Sequence, residues 1–269
     1  MTRKFRFAFA LLAALLLAVT FAYAEEVTLV DNDSITIRIT GFGKDDIWGT
    51  EMNLYLENKT DLTLMYAISD CAVNGVMNDL FWAKELEPHA KANASATWMS
   101  MTGNADTEGI TKLELAMRVY DSSDWSADPI VRETFVVYPQ GEGNVKLYTY
   151  TPAADKLLFD TADAAMYITG FRHDDLWGYT ADVVLINKTG KKLMFSVSDA
   201  LVNGFDCDPF WATELMPGTC KFSDISWSDS KLEENGITKV DEIVLKMRVY
   251  DSDDWLADDL LEDSFTVKP

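Results

Sequence analysis

The chain has 269 residues, of which 48% are hydrophobic, 12% aromatic and 25% charged, and these proportions exclude a disordered chain, a collagen-like repeat and a disulfide-dense miniprotein. Lys and Arg total 23 against 44 Asp and Glu, which gives a net charge of −21 at pH 7. A surface this acidic repels phosphate backbones and anionic lipid headgroups, so nucleic acid and acidic membranes are poor candidate partners. Glycans, cations and basic protein surfaces stay open.

Residues 1–24 have the pattern of a secretory signal peptide. The basic residues Arg3, Lys4 and Arg6 precede an uncharged apolar stretch, and an Ala-Tyr-Ala sequence stands before residue 25. The apolar stretch is barely long enough to span a bilayer, so an uncleaved anchor is the alternative. Cleavage leaves 20 basic and 44 acidic residues, a net charge of −24. The expected product is secreted, extracellular or at the cell envelope, with no membrane insertion.

Alternation of apolar and polar residues with a period of two predicts β-strands in the first half of the mature chain. The alternation runs through residues 35–39, 52–56 and 113–119. Asn74-Gly75 favours the positive φ angles of a tight hairpin turn. The pattern predicts seven or eight strands in about 110 residues, which is the size and spacing of an immunoglobulin-like β-sandwich.

A connector and a second set of strands follow. Residues 140–156 are predicted to be a linker that includes a strand-like segment at 145–151. Alternation returns at residues 243–249. The segment 228–235, with a polar residue before it and Gly236 after it, predicts one or two helical turns.

The second half repeats the first at an offset of 127–130 residues, which indicates a duplication. The eight tryptophans fall into four matched pairs: Trp48/Trp177, Trp82/Trp211, Trp98/Trp227 and Trp125/Trp255. We therefore predict an all-β chain of two tandem immunoglobulin-like antiparallel β-sandwich domains after the signal peptide, with repeat 1 at residues 25–139 and repeat 2 at residues 157–269.

The repeated motifs are Asp-Asp-x-Trp-Gly, Val-Asn-Gly, Glu-Asn-Gly-Ile and Arg-Val-Tyr-Asp-Ser-x-Asp-Trp. Together they resemble a family of immunoglobulin-like extracellular repeat modules found in secreted and envelope proteins of Gram-positive bacteria. The resemblance covers nearly all of the mature chain. It implies a fold and a location, and it transfers no catalytic or ligand residues.

Three cysteines, Cys71, Cys207 and Cys220, leave at least one thiol free. Cys207 and Cys220 share the second half and are candidates for a disulfide across neighbouring strands. The alternative is three small buried hydrophobic side chains.

Acidic loops are candidate calcium sites because Ca²⁺ binds six to eight oxygen ligands, which clustered aspartates can supply. The candidate ligands are Asp45, Asp46, Asp174, Asp175, Asp121, Asp124, Asp251, Asp253 and Asp254. An EF-hand is excluded, because Trp255 and Leu256 stand where that loop needs an oxygen donor and a glycine. The alternative, which we favour, is that these carboxylates are solvated turn and cap residues.

Tryptophans in the loops are candidate ligand-binding residues. Trp48, Trp177, Trp125 and Trp255 lie beside carboxylates, and exposed rings flanked by Asp can stack on a sugar face and accept its hydroxyl bonds. The favoured alternative is that each ring closes an open end of its sandwich. Trp98 and Trp227 are predicted to belong to the core, and one aromatic of Phe210-Trp211 is expected to face outward.

No catalytic motif stands out. The two histidines, His89 and His173, do not recur between the halves, and no hydrolase, zinc-protease or dinucleotide pattern is present. Asn58-Lys-Thr and Asn187-Lys-Thr fit the glycosylation pattern but are interpreted as turns. We expect a non-enzymatic binding or adhesion protein with an extracellular protein or glycan partner, and no cofactor apart from calcium as a candidate. Carbohydrate binding through the loop tryptophans, and then a hydrolase, are the alternatives.

Overall fold

The computed structural model describes residues 26–45, 49–80, 82–98, 109–152, 156–254 and 256–269. Strands make up 59% of these residues, and their sheets are almost entirely antiparallel. The first half has β1 (Val27–Asp31), β2 (Ile35–Asp45), β3 (Gly49–Asn58), β4 (Leu64–Val73), β5 (Val76–Met77), β6 (Trp82–Leu86), β7 (Lys91–Trp98), β8 (Leu113–Asp121) and β9 (Val131–Val137). The second has β10 (Lys156–Asp160), β11 (Ala164–Asp174), β12 (Gly178–Asn187), β13 (Leu193–Val202), β14 (Phe205–Asp206), β15 (Ala212–Leu215), β16 (Cys220–Trp227), helix α1 (Asp229–Glu234), β17 (Ile243–Asp251) and β18 (Leu261–Val267).

The two halves repeat the same sheet order. In the first half, β1-β2-β3-β7 form one sheet, and β4 pairs with β8 on one side and with β6 and β5 on the other, β9 following β8. In the second half, β10-β11-β12-β16 form the matching sheet, while β13 pairs with β17 on one side and with β15 and β14 on the other. The bulges recur as well, for example between Ile68 and Asp70 in β4 and between Val197 and Asp199 in β13.

Each half has its own cluster of buried apolar side chains, drawn from both of its sheets. Strict alternation explains this: in β17 every second residue from Ile243 to Asp251 is buried. Trp98 and Trp227, predicted to be core residues, are 1% and 2% exposed. Burial of such large rings removes the most apolar area from water per residue.

The two Asn-Lys-Thr sequences are structural turns. The Asn58 side-chain amide donates to the carbonyl oxygens of Leu62, Leu86 and Glu87, and its oxygen accepts from the Thr60 backbone N–H at 2.9 Å. Asn187 makes the same bonds in the second half. Because both amides are 1% exposed and hydrogen-bonded, the turn interpretation is confirmed.

The strand count and the connector differ from the predictions. Each half has nine strands among the described residues, because two-residue strands such as β5 and β14 are too short to show a period. The segment 145–151 forms no strand, and a 3-10 turn at Glu142–Asn144 precedes it. The helical turns are confirmed as α1, where the Ser228 hydroxyl caps the N-terminus by accepting from the Lys231 backbone N–H.

The halves meet through a short parallel pairing of β5 with β16. The Cys220 backbone N–H donates to the Gly75 carbonyl oxygen at 2.9 Å. Ala72 and Met77 of the first half are 0% and 6% exposed and pack into the apolar cluster of the second half. The junction therefore continues a sheet and a core from one half into the other.

The connector also packs against both halves. The Tyr148 backbone N–H donates to the Asn74 carbonyl oxygen at 2.8 Å, and the Tyr148 ring lies 6.0 Å from that of Phe222. The Tyr150 ring lies 5.3 Å from that of Tyr167. Aromatic contacts of this kind add stability beyond the buried area, so the connector helps to hold the junction.

All three cysteines are free and buried, so the disulfide between Cys207 and Cys220 is not formed. The Cys207 carbonyl accepts from the Trp227 indole N–H at 2.8 Å, at the far end of β16 from Cys220. Seven residues of strand separate those ends by about 23 Å, well beyond disulfide reach. Burial raises the pKa of the Cys71 thiol to about 12 and that of Cys220 to about 11. In the part of the chain that the structure describes, no helix has the length and hydropathy to cross a bilayer.

Candidate binding site

The loop between β11 and β12 presents Trp177 to solvent. The Asp174 carboxylate accepts the backbone N–H groups of Leu176 at 2.9 Å and Trp177 at 3.0 Å, and these bonds hold the pKa of Asp174 below its usual value. Gly178 follows with φ of +82°, and a Cβ there would lie 2.3 Å from the Trp227 carbonyl oxygen. The turn is thus fixed on both sides, and Trp177 is 62% exposed.

The hairpin of β13 and β14 supplies two of the carboxylates beside this loop. Asn203 and Gly204 have φ of +52° and +83°, the same values as at Asn74-Gly75, where the sequence predicts a tight turn. The bulge after Val197 shifts the alternation, so that Asp199 is exposed on the outer face of β13. Asp206 is exposed on β14.

The segment after the hairpin adds a second exposed ring. The Asp208 carboxylate accepts the Phe210 backbone N–H at 2.8 Å, and Phe210 adopts φ of +51°. This conformation leaves Phe210 92% exposed, while Trp211 packs against the core. The expectation that one ring of this pair faces outward is met.

These elements enclose a groove with a volume of about 580 Å³. The exposed rings and charged side chains that line it belong to Trp177, Phe210, Asp199, Asp206, Asp208 and Lys231. Three carboxylates against one ammonium group give the groove negative charge. Within the described ranges, none of the three carboxylates has an ion-pair partner. The groove therefore combines two apolar ring faces with carboxylates that form no ion pair.

The matching position in the first half is at the junction. Trp48 and Phe81, the counterparts of Trp177 and Phe210, lie outside the described residues. A second groove of about 330 Å³ lies at the junction, lined on one side by Asp70 and on the other by Lys192, Asp251 and Asp253. The two halves thus present different surfaces at equivalent places.

The Asp121 and Asp124 carboxylates close turns of their own loop. Asp121 accepts from the Ser123 backbone N–H at 2.8 Å and from its hydroxyl at 2.7 Å. Asp124 accepts in the same way from Ser126, whose hydroxyl lowers the pKa of Asp124. Trp125 between them is 76% exposed.

The acidic residues of the second half are either bonded to other protein groups or exposed on the surface. Asp251 forms an ion pair with Lys191 at 2.8 Å, which lowers the pKa of Asp251, and it accepts the Asp253 backbone N–H at 3.0 Å. Asp254 and Asp175 are exposed. Asp251, at the end of β17, lies opposite Leu193 at the start of β13 in the strand pairing. Asp174 is the last residue of β11 and lies opposite Gly178 at the start of β12. The two acidic loops therefore lie at opposite ends of this half.

The remaining predicted site residues fall outside the described residues. These are Asp46, Trp48, Trp255 and the side chain of Asp45, whose backbone ends β2. Among the residues that the structure does describe, no group of three or more His, Cys, Asp or Glu side chains could hold a metal ion. His89 pairs with Asp61 at 2.8 Å and His173 with Asp229 at 3.0 Å, both on the surface.

Four groups of the groove were not predicted from the sequence: Asp199, Asp206, Asp208 and Lys231. Alternation along β13 predicts which face of the sheet carries Asp199 only if the position of the bulge after Val197 is known. The sequence signal that could have found Asp206 is that it stands at the position of Met77 in the repeated Val-Asn-Gly hairpin. Such a change from apolar to charged indicates that the surface is buried in one half and open in the other.

The chain matches no family model and no curated protein sequence. Among solved structures it is similar to the YadV chaperone at 12% identity, covering 81% of this chain and 92% of that chain with a TM-score of 0.25. It is similar to an exo-chitosanase of Amycolatopsis orientalis at 13% identity, covering 85% of this chain but 26% of that chain with a TM-score of 0.22. Red sea bream transglutaminase matches at 11% identity, over 89% of this chain and 31% of that chain, with a TM-score of 0.21. Likenesses this weak assign neither a family nor a function.

Proposed function

We propose that the chain is a secreted, non-enzymatic binding protein built from two immunoglobulin-like modules. Residues 1–24 are the signal peptide, residues 25–139 and 157–269 are the modules, and residues 140–156 are the linker. The repeated sheet order supports this proposal. Apart from β1 and β10, each half has a sheet of three strands and a second sheet, and the apolar cluster draws on both. In the first half the two central strands of the second sheet, β4 and β8, come before and after β7 in the chain.

The proposed activity is binding of a basic surface of an extracellular protein at the groove of the second module. The observation that carries it is the groove itself, where the exposed rings of Trp177 and Phe210 stand beside three carboxylates without ion partners. Aromatic faces attract Arg and Lys side chains, and carboxylates accept their hydrogen bonds. The strongly negative net charge favours approach of a basic partner.

A labelled deca-arginine peptide tests this activity on the mature chain at physiological salt. We expect W177A/F210A to weaken peptide binding by about tenfold, since the two cation–aromatic contacts at an exposed site contribute about 0.7 kcal/mol each. The variant keeps the net charge, so nonspecific attraction is unchanged. W125A removes a ring of similar exposure outside the groove and is the matched control. Equal affinity of W177A/F210A and the native chain, at equal melting temperature, would refute the assignment of the groove.

Carbohydrate binding is the second candidate, and the 62% exposure of Trp177 beside carboxylates favours it. Co-sedimentation with insoluble cellulose and with purified peptidoglycan tests it directly. Loss of retention in W177A, with the deca-arginine affinity unchanged, would move the assignment from a basic protein surface to a glycan.

A further inference from the structure

In the first module, the outer face of the β4–β5 hairpin is covered by the second module, and this contact shows what such a face binds. The outer face of β4 and β5 carries Asp70, Ala72 and Met77, and the second module covers it, leaving Ala72 0% and Met77 6% exposed. The covering element is the edge strand β16, whose Cys220 backbone N–H bonds to the Gly75 carbonyl at 2.9 Å. A hairpin face and a strand edge thus form a complete interface within one chain.

Two lysines of the second module complete this contact. The Lys192 ammonium lies 3.1 Å from the Asp70 carboxylate and 2.6 Å from that of Glu214. Partial burial disfavours the charged form of Lys192, but the two carboxylates outweigh this and leave its pKa raised. Lys221 lies 3.2 Å from Asp79. The carboxylates of the hairpin therefore recognise lysines set on and beside an edge strand.

The second module keeps the hairpin but leaves it uncovered. Asp199 and Asp208 match Asp70 and Asp79, and neither forms an ion pair in the described part of the chain. Lys246 lies opposite Asp199 on β17, but its ammonium group pairs with Glu262 at 2.8 Å. Leu201, which matches Ala72, is 36% exposed. β14 matches β5 but forms the outer edge of its sheet, so its backbone is open to another strand.

We propose that the outer face and edge of the β13–β14 hairpin bind the edge strand of a β-sandwich module of another protein, one that carries lysines at the positions of Lys192 and Lys221. Backbone bonds to β14 give affinity, and the lysines bond to Asp199 and Asp208. This inference rests on the proposed function, because these carboxylates line the groove, and it names the partner class.

A second copy of this chain does not supply that partner. The positions of the first module that match Lys192 and Lys221 are Thr63 and Ala92, which carry no charge. The strand β7 has the same edge place in its sheet, and Glu85 occupies the place of Glu214, but Ala92 packs against the core of the first half. The first module thus has the strand edge without the lysines that the hairpin recognises.

The test gives the first module the two missing lysines. We expect T63K/A92K in the mature chain to associate head to tail, with a weight-average sedimentation coefficient that rises about 1.5-fold or more between dilute and about 200 µM protein, because such an interface does not close on itself. The native chain stays monomeric over the same range. T63E/A92E is the matched control and stays monomeric. Equal melting temperatures of the variants verify that they fold.

A second variant tests whether Asp199 and Asp208 cause the association of T63K/A92K. Adding D199N/D208N to T63K/A92K is expected to restore the monomer, since it removes the carboxylates without changing their shape. No association of T63K/A92K, or association that D199N/D208N leaves unchanged, would overturn the inference. Association of the native chain through Asp199 and Asp208 would also overturn it, because the partner would then be a second copy. None of these results alters the deca-arginine test of Trp177 and Phe210.

Discussion

Aspartate side chains have three distinct roles in this molecule, set by what each one contacts. Asp174 accepts backbone N–H groups within its own turn. Asp70 holds a lysine of the other module, and both side chains are mostly buried. Asp199 is exposed on the groove. Only the last kind is open to a ligand, so the high acidic content of the chain is a poor guide to where binding occurs.

Calcium is expected to give no stability beyond that given by other cations. Asp121, Asp124, Asp174 and Asp251 already accept hydrogen bonds that close their turns, and they are spread over three loops. The measurement is the melting temperature with calcium titrated against magnesium and against sodium chloride of equal ionic strength. Any cation screens the negative charge, so equal shifts are predicted. A saturable rise with calcium alone, reversed by a chelator, would establish calcium sites.

The turn between β11 and β12 depends on a residue without a side chain. Gly178 combines a left-handed φ of +82° with a backbone contact in which a Cβ would lie 2.3 Å from the Trp227 carbonyl. Backbone atoms on β16 cannot move aside as a flexible side chain would. Gly49 has φ of +85° at the matching place in the first half, so the left-handed conformation recurs there.

Replacing Gly178 by Ala is therefore expected to lower the free energy of unfolding by about 3 kcal/mol, from the left-handed conformation together with the steric clash. Urea denaturation measures the change. Gly190 lies in a turn of the same module, and a methyl group on its Cα would meet no atom within 4 Å, so G190A is predicted to change stability by less than about 0.5 kcal/mol. Similar stability of both variants would show that the β11–β12 turn can relax.

Local features could be predicted from the sequence, whereas features joining distant segments could not. Asn203-Gly204 forms a tight turn because two adjacent residues determine it, and Trp227 is buried because strand alternation fixes its face. The pairing of Lys192 with Asp70 joins residues 122 positions apart and depends on how the modules meet. The exposure of Asp199 depends on a bulge that leaves no periodic signal.

At the scale of the whole molecule, the two halves of the chain are joined at one junction. A parallel pairing at Cys220, two ion pairs and the tyrosines of the connector hold it. Each half has its own apolar cluster, and the second cluster also includes Ala72 and Met77 of the first half, so weakening the junction is expected to expose these two side chains and loosen the contact between the halves before either core unfolds.

The Lys192→Met substitution keeps the apolar stem of the side chain and removes its ion pairs with Asp70, across the junction, and with Glu214, inside the second half. We expect trypsin to cleave after Lys146 in the connector about fivefold faster, which corresponds to a loss of about 1 kcal/mol from one ion pair. Lys191 pairs with Asp251 inside the second module, so K191M is the matched control with an unchanged rate at this bond. Mass spectrometry of the fragments gives both rates. An unchanged rate in K192M would mean that the junction does not depend on this pair.

The buried thiols give this chain a built-in measure of its own internal motion. Cys71 lies in the first core, Cys207 in the second, and Cys220 where the modules meet. Because burial shields each sulfur and raises its pKa, a thiol reagent reacts only when that region opens. Labelling kinetics at the three sites therefore report, without any substitution, how often each core and the joint between them open to solvent.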